Sequence, residues 1–217
     1  MVKTMQMGHV YLIDDDDSVR NSLQDLLKFA GYQVSAWSEA RSFLDNLPNA
    51  APAVLVIDMR MPGMTGLELH EALIARGRIL PVVYISGESS LPQGIAAMKL
   101  GALDFLIKPF TREAILRAVA AGLEKDRNQI QRVIDQARFD QAMKHLAPRE
   151  REVLSLLIRG YANQEIMAEL NISLPTAKQY KSQLMRKLGA RSLSDLMKLS
   201  TGLVDKAPAG HVPYSPP

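Results

Sequence analysis

The chain has 217 residues, of which 47% are hydrophobic and 23% charged, enough for two small domains that each bury a core. It has no cysteine, which excludes disulfides, zinc–thiolate sites and cysteine nucleophiles, and no apolar run suited to a signal peptide or a membrane span, so it reads as a soluble, cytoplasmic chain. The net charge of +3 hides an asymmetry: residues 1–122 carry 11 Lys and Arg against 13 Asp and Glu, whereas residues 144–217 carry 11 against 6. An acidic front and a basic back point to two modules with different partners, the second partner polyanionic.

The first half alternates strands and helices. "HVYLI" reads as a short buried strand, and "SVRNSLQDLLKFAG" puts Val19, Leu23, Leu26 and Leu27 on one helical face before Gly31 ends it. "YQVSAW" is a strand, "EARSFLDNL" a helix, and "AVLVIDM" a nearly continuous apolar run, as a central parallel strand covered on both faces requires. The loop "RMPGMTG" leads to the helix "LELHEALIARG", the strand "PVVYIS", the loop "GESSLP", the helix "QGIAAMKLG" and the strand "LDFLI", with a last helix after "KPFT". Five strands alternating with five helices predict an α/β fold with an open, doubly wound, five-stranded parallel sheet, whose sites form beyond the carboxyl ends of the strands.

Between Thr111 and Met143 there is no proline and only Gly122 among glycines, so a long linker helix is expected. Leu116, Val119, Leu123, Ile130, Val133 and Ala137 follow a three-four spacing broken by Asp126 and Asp140, which suits a solvated connecting helix or, less well, a coiled-coil pairing. Beyond "LAPRE" the chain becomes helical and strand-poor, a small all-α domain, and it ends in a proline-rich tail expected to be disordered.

Asp14 to Asp17 form an unbroken acidic run at the end of the first strand, and adjacent carboxylates repel unless a cation offsets them. The third strand ends at Asp58, the fourth at Ser86, and the fifth just before Lys108. Such a sheet gathers these ends on one edge. Oxygen-rich, partly hydrated clusters suit Mg²⁺. Asp58 would then attack a phosphoryl group whose oxygens the metal and Lys108 neutralise. His9, His70, His145 and His211 are scattered without ligand spacing and are expected to be surface or structural.

The stretches "IDDDDSVRNSL", "VLVIDMRMPGMTGLEL", "VVYISG" and "GALDFLIKPF" resemble the CheY-like receiver domain of bacterial two-component response regulators over residues 8–122. The resemblance implies that Asp58 is the phosphoacceptor and that Asp14 and Asp15 bind Mg²⁺ with Asp58 and the carbonyl of Arg60. It implies too that Ser86 is the switch hydroxyl, Phe105 the switch aromatic and Lys108 the phosphoryl-binding cation, with a cis bond before Pro109. The acid run is longer than usual, and Ser18 stands where relatives often carry proline. Asp17, just before "SVRNSL", is expected to cap the first helix, leaving Asp16 solvated.

Asp14-x-Asp16-x-Ser18 also resembles the first motif of haloacid-dehalogenase-type phosphatases, with Asp14 as nucleophile and Asp16 as acid-base. That family's closing acidic pair is missing, and "IDMRMPGMTG" would go unexplained. It stands as the alternative.

Between Glu169 and Asp195 no residue is acidic, but Lys178, Lys181, Arg186, Lys187 and Arg191 are basic, the footprint of a nucleic-acid binder. "ANQEIMAEL", "NIS" and "LPTAKQYKSQLMRKL" read as helix, turn and helix, with Pro175 tolerated in the first turn. The stretch from "LAPREREVL" to "RSLSDLM" is similar to the LuxR/NarL-type helix-turn-helix. The resemblance implies that the second helix enters the major groove of promoter DNA with Lys178, Gln179 and Ser182 nearest base edges. Thr176, Tyr180 and Lys181 would contact phosphates.

The expected layout is therefore a receiver at 8–122, a linker at 123–143, a helix-turn-helix domain at 144–202 and a tail at 203–217, the order of the NarL/FixJ class. It implies a sensor histidine kinase as phosphodonor, slow autodephosphorylation rather than enzymatic turnover, and control of transcription, most often activation. Phosphorylation would either pair two copies through the face of helix 91–101, the fifth strand and the following helix, giving a homodimer, or unmask the recognition helix.

Overall fold

The computed structural model describes residues 8–87 and 91–200; the expectations for residues 1–7, for 88–90 of the "GESSLP" loop and for the tail, His211 included, lie outside the described residues. Two compact units divide between Ile130 and Gln131.

The first unit runs β1 (His9–Ile13), α1 (Asp17–Phe29), β2 (Gln33–Trp37), α2 (Ala40–Asp45), β3 (Ala53–Asp58), α3 (Gly66–Ala75), β4 (Val82–Ser86), α4 (Leu91–Lys99), β5 (Asp104–Ile107) and the start of α5 (Arg112–Lys144). All strand pairs are parallel, in the order β2-β1-β3-β4-β5. The chain thus turns one way from β1 to β2 and the other way from β1 to β3, the switch point at which such sheets open a crevice. Every residue of β3 and β4 is buried, which explains their unbroken apolar runs.

Alternation along the strands feeds two apolar layers. Tyr11, Ile13, Leu55, Ile57 and Tyr84 meet Phe43, Leu44, Leu69, Leu73 and Ala97 of α2, α3 and α4. Val10, Leu12, Val54, Val56, Val83 and Ile85 meet Leu23 and Leu27 of α1 and Ile115, Val119 and Leu123 of α5. Helix α3 begins hard against the end of β3: a Cβ on Gly66 would lie 2.5 Å from the carbonyl oxygen of Asp58, so the side chain has to be absent there. Thr65 and Glu68 close a capping box at the same end.

The cap of α1 is Asp16, not Asp17. Asp16 is extended and its carboxylate accepts from the Ser18 and Val19 N–H groups at 2.8 and 3.2 Å, so it is engaged rather than merely solvated. Asp17 is the first helical residue, paired with Arg20. Asp126 interrupts the apolar row of α5 for a structural reason: it is buried and accepts the Ala53 N–H at 2.8 Å, completing the start of β3. Farther along α5, Val133 is 65% exposed.

The second unit holds α6 (Pro148–Ile158), α7 (Asn163–Leu170), α8 (Leu174–Lys187) and α9 (Leu193–Leu199). Its core joins Leu154, Leu157, Ile166, Leu184, Leu188 and Leu196 to Phe139 of α5. Between α7 and α8 the chain turns at Asn171, whose φ of 50° is a left-handed conformation that asparagine tolerates. Ser173 then caps α8, and Pro175 sits in the first turn. Lys187 donates to Glu150 at 2.6 and 2.8 Å, tying α8 to α6. Among the described residues no helix is long and apolar enough to cross a membrane.

Candidate functional site

Three strand ends meet at one cation. Asp14 directly follows β1, Asp58 ends β3, and Lys108 directly follows β5. The Lys108 Nζ donates to Asp14 Oδ2 at 2.8 Å and to Asp58 Oδ1 at 2.6 Å. The remaining carboxylate oxygens are also held: Asp14 Oδ1 accepts the Asp16 N–H at 2.9 Å, and Asp58 Oδ2 accepts the Arg60 N–H at 2.7 Å. Asp14 is fully buried, and burial pushes its carboxyl above the usual range against the opposing pull of Lys108 and the Asp16 N–H. Burial also disfavours the Lys108 charge, but hydrogen bonds to Asp14 and Asp58 outweigh it, so the amine is held above its ordinary value and stays an ammonium.

Ser86, 1% exposed, ends β4, and its carbonyl accepts the Lys108 N–H at 2.7 Å. The peptide bond from Lys108 to Pro109 is cis. Phe105 lies beside Tyr84 in the β4–β5 register and is half-buried. It lines an apolar groove of about 630 Å³ with Leu91, Gly94, Ile95, Met98 and Ile107. Asp15 is exposed and faces a different groove, with Ser38, Glu39, Arg41 and Met64. The fold thus gathers Asp14, Asp58, Lys108 and the Ser86 backbone, with Arg60 contributing its N–H to Asp58, and the exposed Asp15 follows Asp14 directly in the chain. Among the described residues no group of three or more Asp, Glu or His side chains converges as a metal cage would.

Sequence reasoning did not single out Arg20, whose guanidinium donates to the Asp14 carbonyl at 2.7 Å. The signal was a basic residue one helical turn after the acid run. His70, expected to be surface or structural, is buried, with its Nδ1 3.0 Å from the Tyr84 hydroxyl.

On α8, Lys178, Gln179 and Ser182 are all exposed, at a spacing that makes one strip along the helix. Thr176, Tyr180 and Lys181 are half-buried; the Thr176 hydroxyl shares a 2.8 Å hydrogen bond with Ser173, and Tyr180 packs against the core. Lys187, counted with the basic footprint in the sequence, is occupied by Glu150 and holds two helices together.

Residues 10–120 match the response regulator receiver domain family, and residues 144–200 match the luxR family of bacterial regulatory proteins. The transcriptional regulatory protein FixJ of Azorhizobium caulinodans is 40% identical over 92% of this chain and 94% of its own length. Nodulation protein W of Bradyrhizobium diazoefficiens is 36% identical over 89% of this chain and 86% of its own. Among solved structures, response regulator StyR superposes with a TM-score of 0.67 at 40% identity, covering 92% of this chain and 98% of that one. Full-length FixJ from B. japonicum gives 0.58 at 36%, covering 91% and 97%. No match supports the phosphatase alternative, and Asp16, cast there as the acid-base, caps α1. The chain belongs to the response regulators of the FixJ/NarL type, which join a receiver domain to a LuxR-type DNA-binding domain.

Proposed function

We propose that Asp58 accepts a phosphoryl group from a sensor histidine kinase and that this change switches self-pairing and promoter binding in the cytoplasm. The observation that carries the reading is the Lys108 ammonium within hydrogen-bonding distance of both Asp58 and Asp14 at the open edge of the sheet. An Asp58 carboxylate oxygen attacks phosphorus; a P–O bond forms as the P–N bond to the kinase histidine breaks, and the electron pair leaves on that nitrogen. Lys108 then has a phosphoryl oxygen to bind in place of a carboxylate oxygen. Slow hydrolysis of the acyl phosphate returns the free carboxylate, and the chain is not a turnover enzyme.

The donor chemistry fits Mg²⁺, which takes hard oxygens, keeps several waters and needs only one or two protein carboxylates. Asp14 and Asp15, with Asp58 and the Arg60 carbonyl, would hold it, and when bound it neutralises charge on the phosphoryl oxygens.

Ser86 closes on the new phosphoryl group, and Phe105 turns into the space it leaves, reshaping the α4–β5 face. Pairing through that face is favoured over unmasking by its exposed apolar side chains, Leu91, Ile95, Met98 and Ile107. Two paired copies would place two α8 helices on two half-sites. There Lys178, Gln179 and Ser182 read base edges, while Thr176, Tyr180 and Lys181 meet phosphates. The test is incubation with Mg²⁺ and acetyl phosphate followed by intact mass. One added phosphoryl group, absent from Asp58→Asn, is expected; an adduct that persists in Asp58→Asn overturns the assignment.

A further inference from the structure

Lys108 balances Asp14 and Asp58 but reaches no other member of the acid run among the hydrogen bonds of the site. A second cation bonds to that turn. Arg20, in the second turn of α1, is only 15% exposed in its side chain, although it is charged. Its Nη1 donates to the Asp14 carbonyl at 2.7 Å and its Nη2 pairs with the Asp17 carboxylate. Its own N–H donates to the Asp16 carbonyl at 2.9 Å. One residue therefore grips three of the four aspartates. Asp14 is held at every polar group: its N–H by the Trp37 carbonyl at 3.2 Å, its carbonyl by Arg20, and its two carboxylate oxygens by Asp16 and Lys108.

We infer that Arg20 is a positioning residue for divalent-cation binding, fixing the turn from which Asp14 and Asp15 present their carboxylates. The inference rests on the Mg²⁺ reading proposed above. A planar guanidinium offers donors in a fixed fork and serves the carbonyl and the carboxylate at once, which a lysine ammonium on a flexible stem does less well. Charge alone argues in the other direction. A guanidinium near the site repels a divalent cation, so removing it tightens binding if Arg20 only balances charge. If Arg20 positions the turn, removing it loosens binding, because the cation must then order the turn itself. The sign of the change separates the two roles.

Trp37 provides a readout that does not depend on phosphorylation. It is the single tryptophan of the chain, and its carbonyl accepts the Asp14 N–H. Mg²⁺ is titrated into the full chain and into Arg20→Gln, Arg20→Lys and Asp17→Asn, following Trp37 emission and, separately, the acetyl phosphate adduct at each Mg²⁺ concentration. The expected result for Arg20→Gln is about a tenfold rise in the Mg²⁺ needed for half-saturation, the lower end of what loss of a supporting partner produces. The adduct at saturating Mg²⁺ stays near the parent level, Arg20→Lys recovers part of the affinity, and Asp17→Asn shows a smaller rise. If Arg20→Gln does not fold, Arg20→Lys and Asp17→Asn decide, since each must raise the requirement. A folded variant with an unchanged or lower Mg²⁺ requirement overturns the inference while leaving Asp58 phosphorylation intact. A parent chain that neither responds to Mg²⁺ nor forms the adduct removes the phosphorylation reading and this inference together.

Discussion

Replacing Lys108 by methionine exposes the electrostatics of the site. The ammonium lies 2.8 and 2.6 Å from carboxylates whose side chains are 1% and 9% exposed. Methionine keeps most of the apolar stem, so the change is mainly one of charge. Deleting one partner of a buried ion pair costs about 3–5 kcal/mol, because the other is left uncompensated. Here the carboxylates have a partial escape. Burial already pushes the Asp14 carboxyl above its ordinary value of 3.8, so without Lys108 it takes up a proton. The folded variant then binds a proton that the unfolded chain has released, and its stability falls as pH rises, by up to about 1.4 kcal/mol per pH unit. In the parent, Lys108 stays charged and opposes that shift, so the loss is smaller. Urea unfolding of both proteins between about pH 5.5 and 8.5 is expected to show a gap that widens with pH and reaches about 3 kcal/mol at the alkaline end. A gap below about 1 kcal/mol, or one that does not change with pH, would refute the reasoning.

Three further outcomes follow from individual contacts. Asp16→Ala removes the cap of α1 and is expected to lower stability by about 1 kcal/mol in urea unfolding, while Asp17→Ala, on an exposed carboxylate, changes it by less than about 0.5 kcal/mol; the reverse order would put the helix start one residue later. Burial pushes the His70 imidazole below its ordinary value of 6.5, so the folded chain keeps it neutral where the unfolded chain takes a proton. The associated stability is present above that value and is lost as pH falls through it toward the folded pKa; His70→Gln should therefore lose less stability than the parent between about pH 7.5 and 5.5, and equal losses would discount His70. Lys178→Ala is expected to weaken binding to a preferred DNA sequence by about 1–3 kcal/mol with unchanged phosphorylation, read by fluorescence anisotropy; an equal loss on every sequence would make Lys178 a phosphate contact.

Much of the site could be read from the sequence because topology does the gathering. Buried parallel strands announce themselves as apolar runs, and a doubly wound sheet brings their ends to one edge, so Asp14, Asp58 and Lys108 meet although 44 and 50 residues separate neighbours in the chain. What failed was finer. Four identical side chains in a row do not reveal which one turns extended to cap a helix, and the answer, Asp16, depends on a backbone angle. Asp15 adjoins Asp14 in the chain, yet Asp14 is buried and Asp15 exposed, a difference that adjacency does not announce. Partners far apart in sequence, Glu150 with Lys187 and Asp126 with the Ala53 N–H, leave no periodic trace, so one lysine was credited to the nucleic-acid surface and one aspartate to a break in packing.

Coupling between Asp58 and DNA is measured most directly by the affinity of the full chain for a duplex selected from a random pool, with and without acetyl phosphate and Mg²⁺ at fixed salt. The parent is expected to bind more tightly once phosphorylated, and Asp58→Asn to show a single, unchanged affinity under both conditions. A parent chain that carries the phosphoryl group by mass yet binds the duplex no more tightly would contradict the switch.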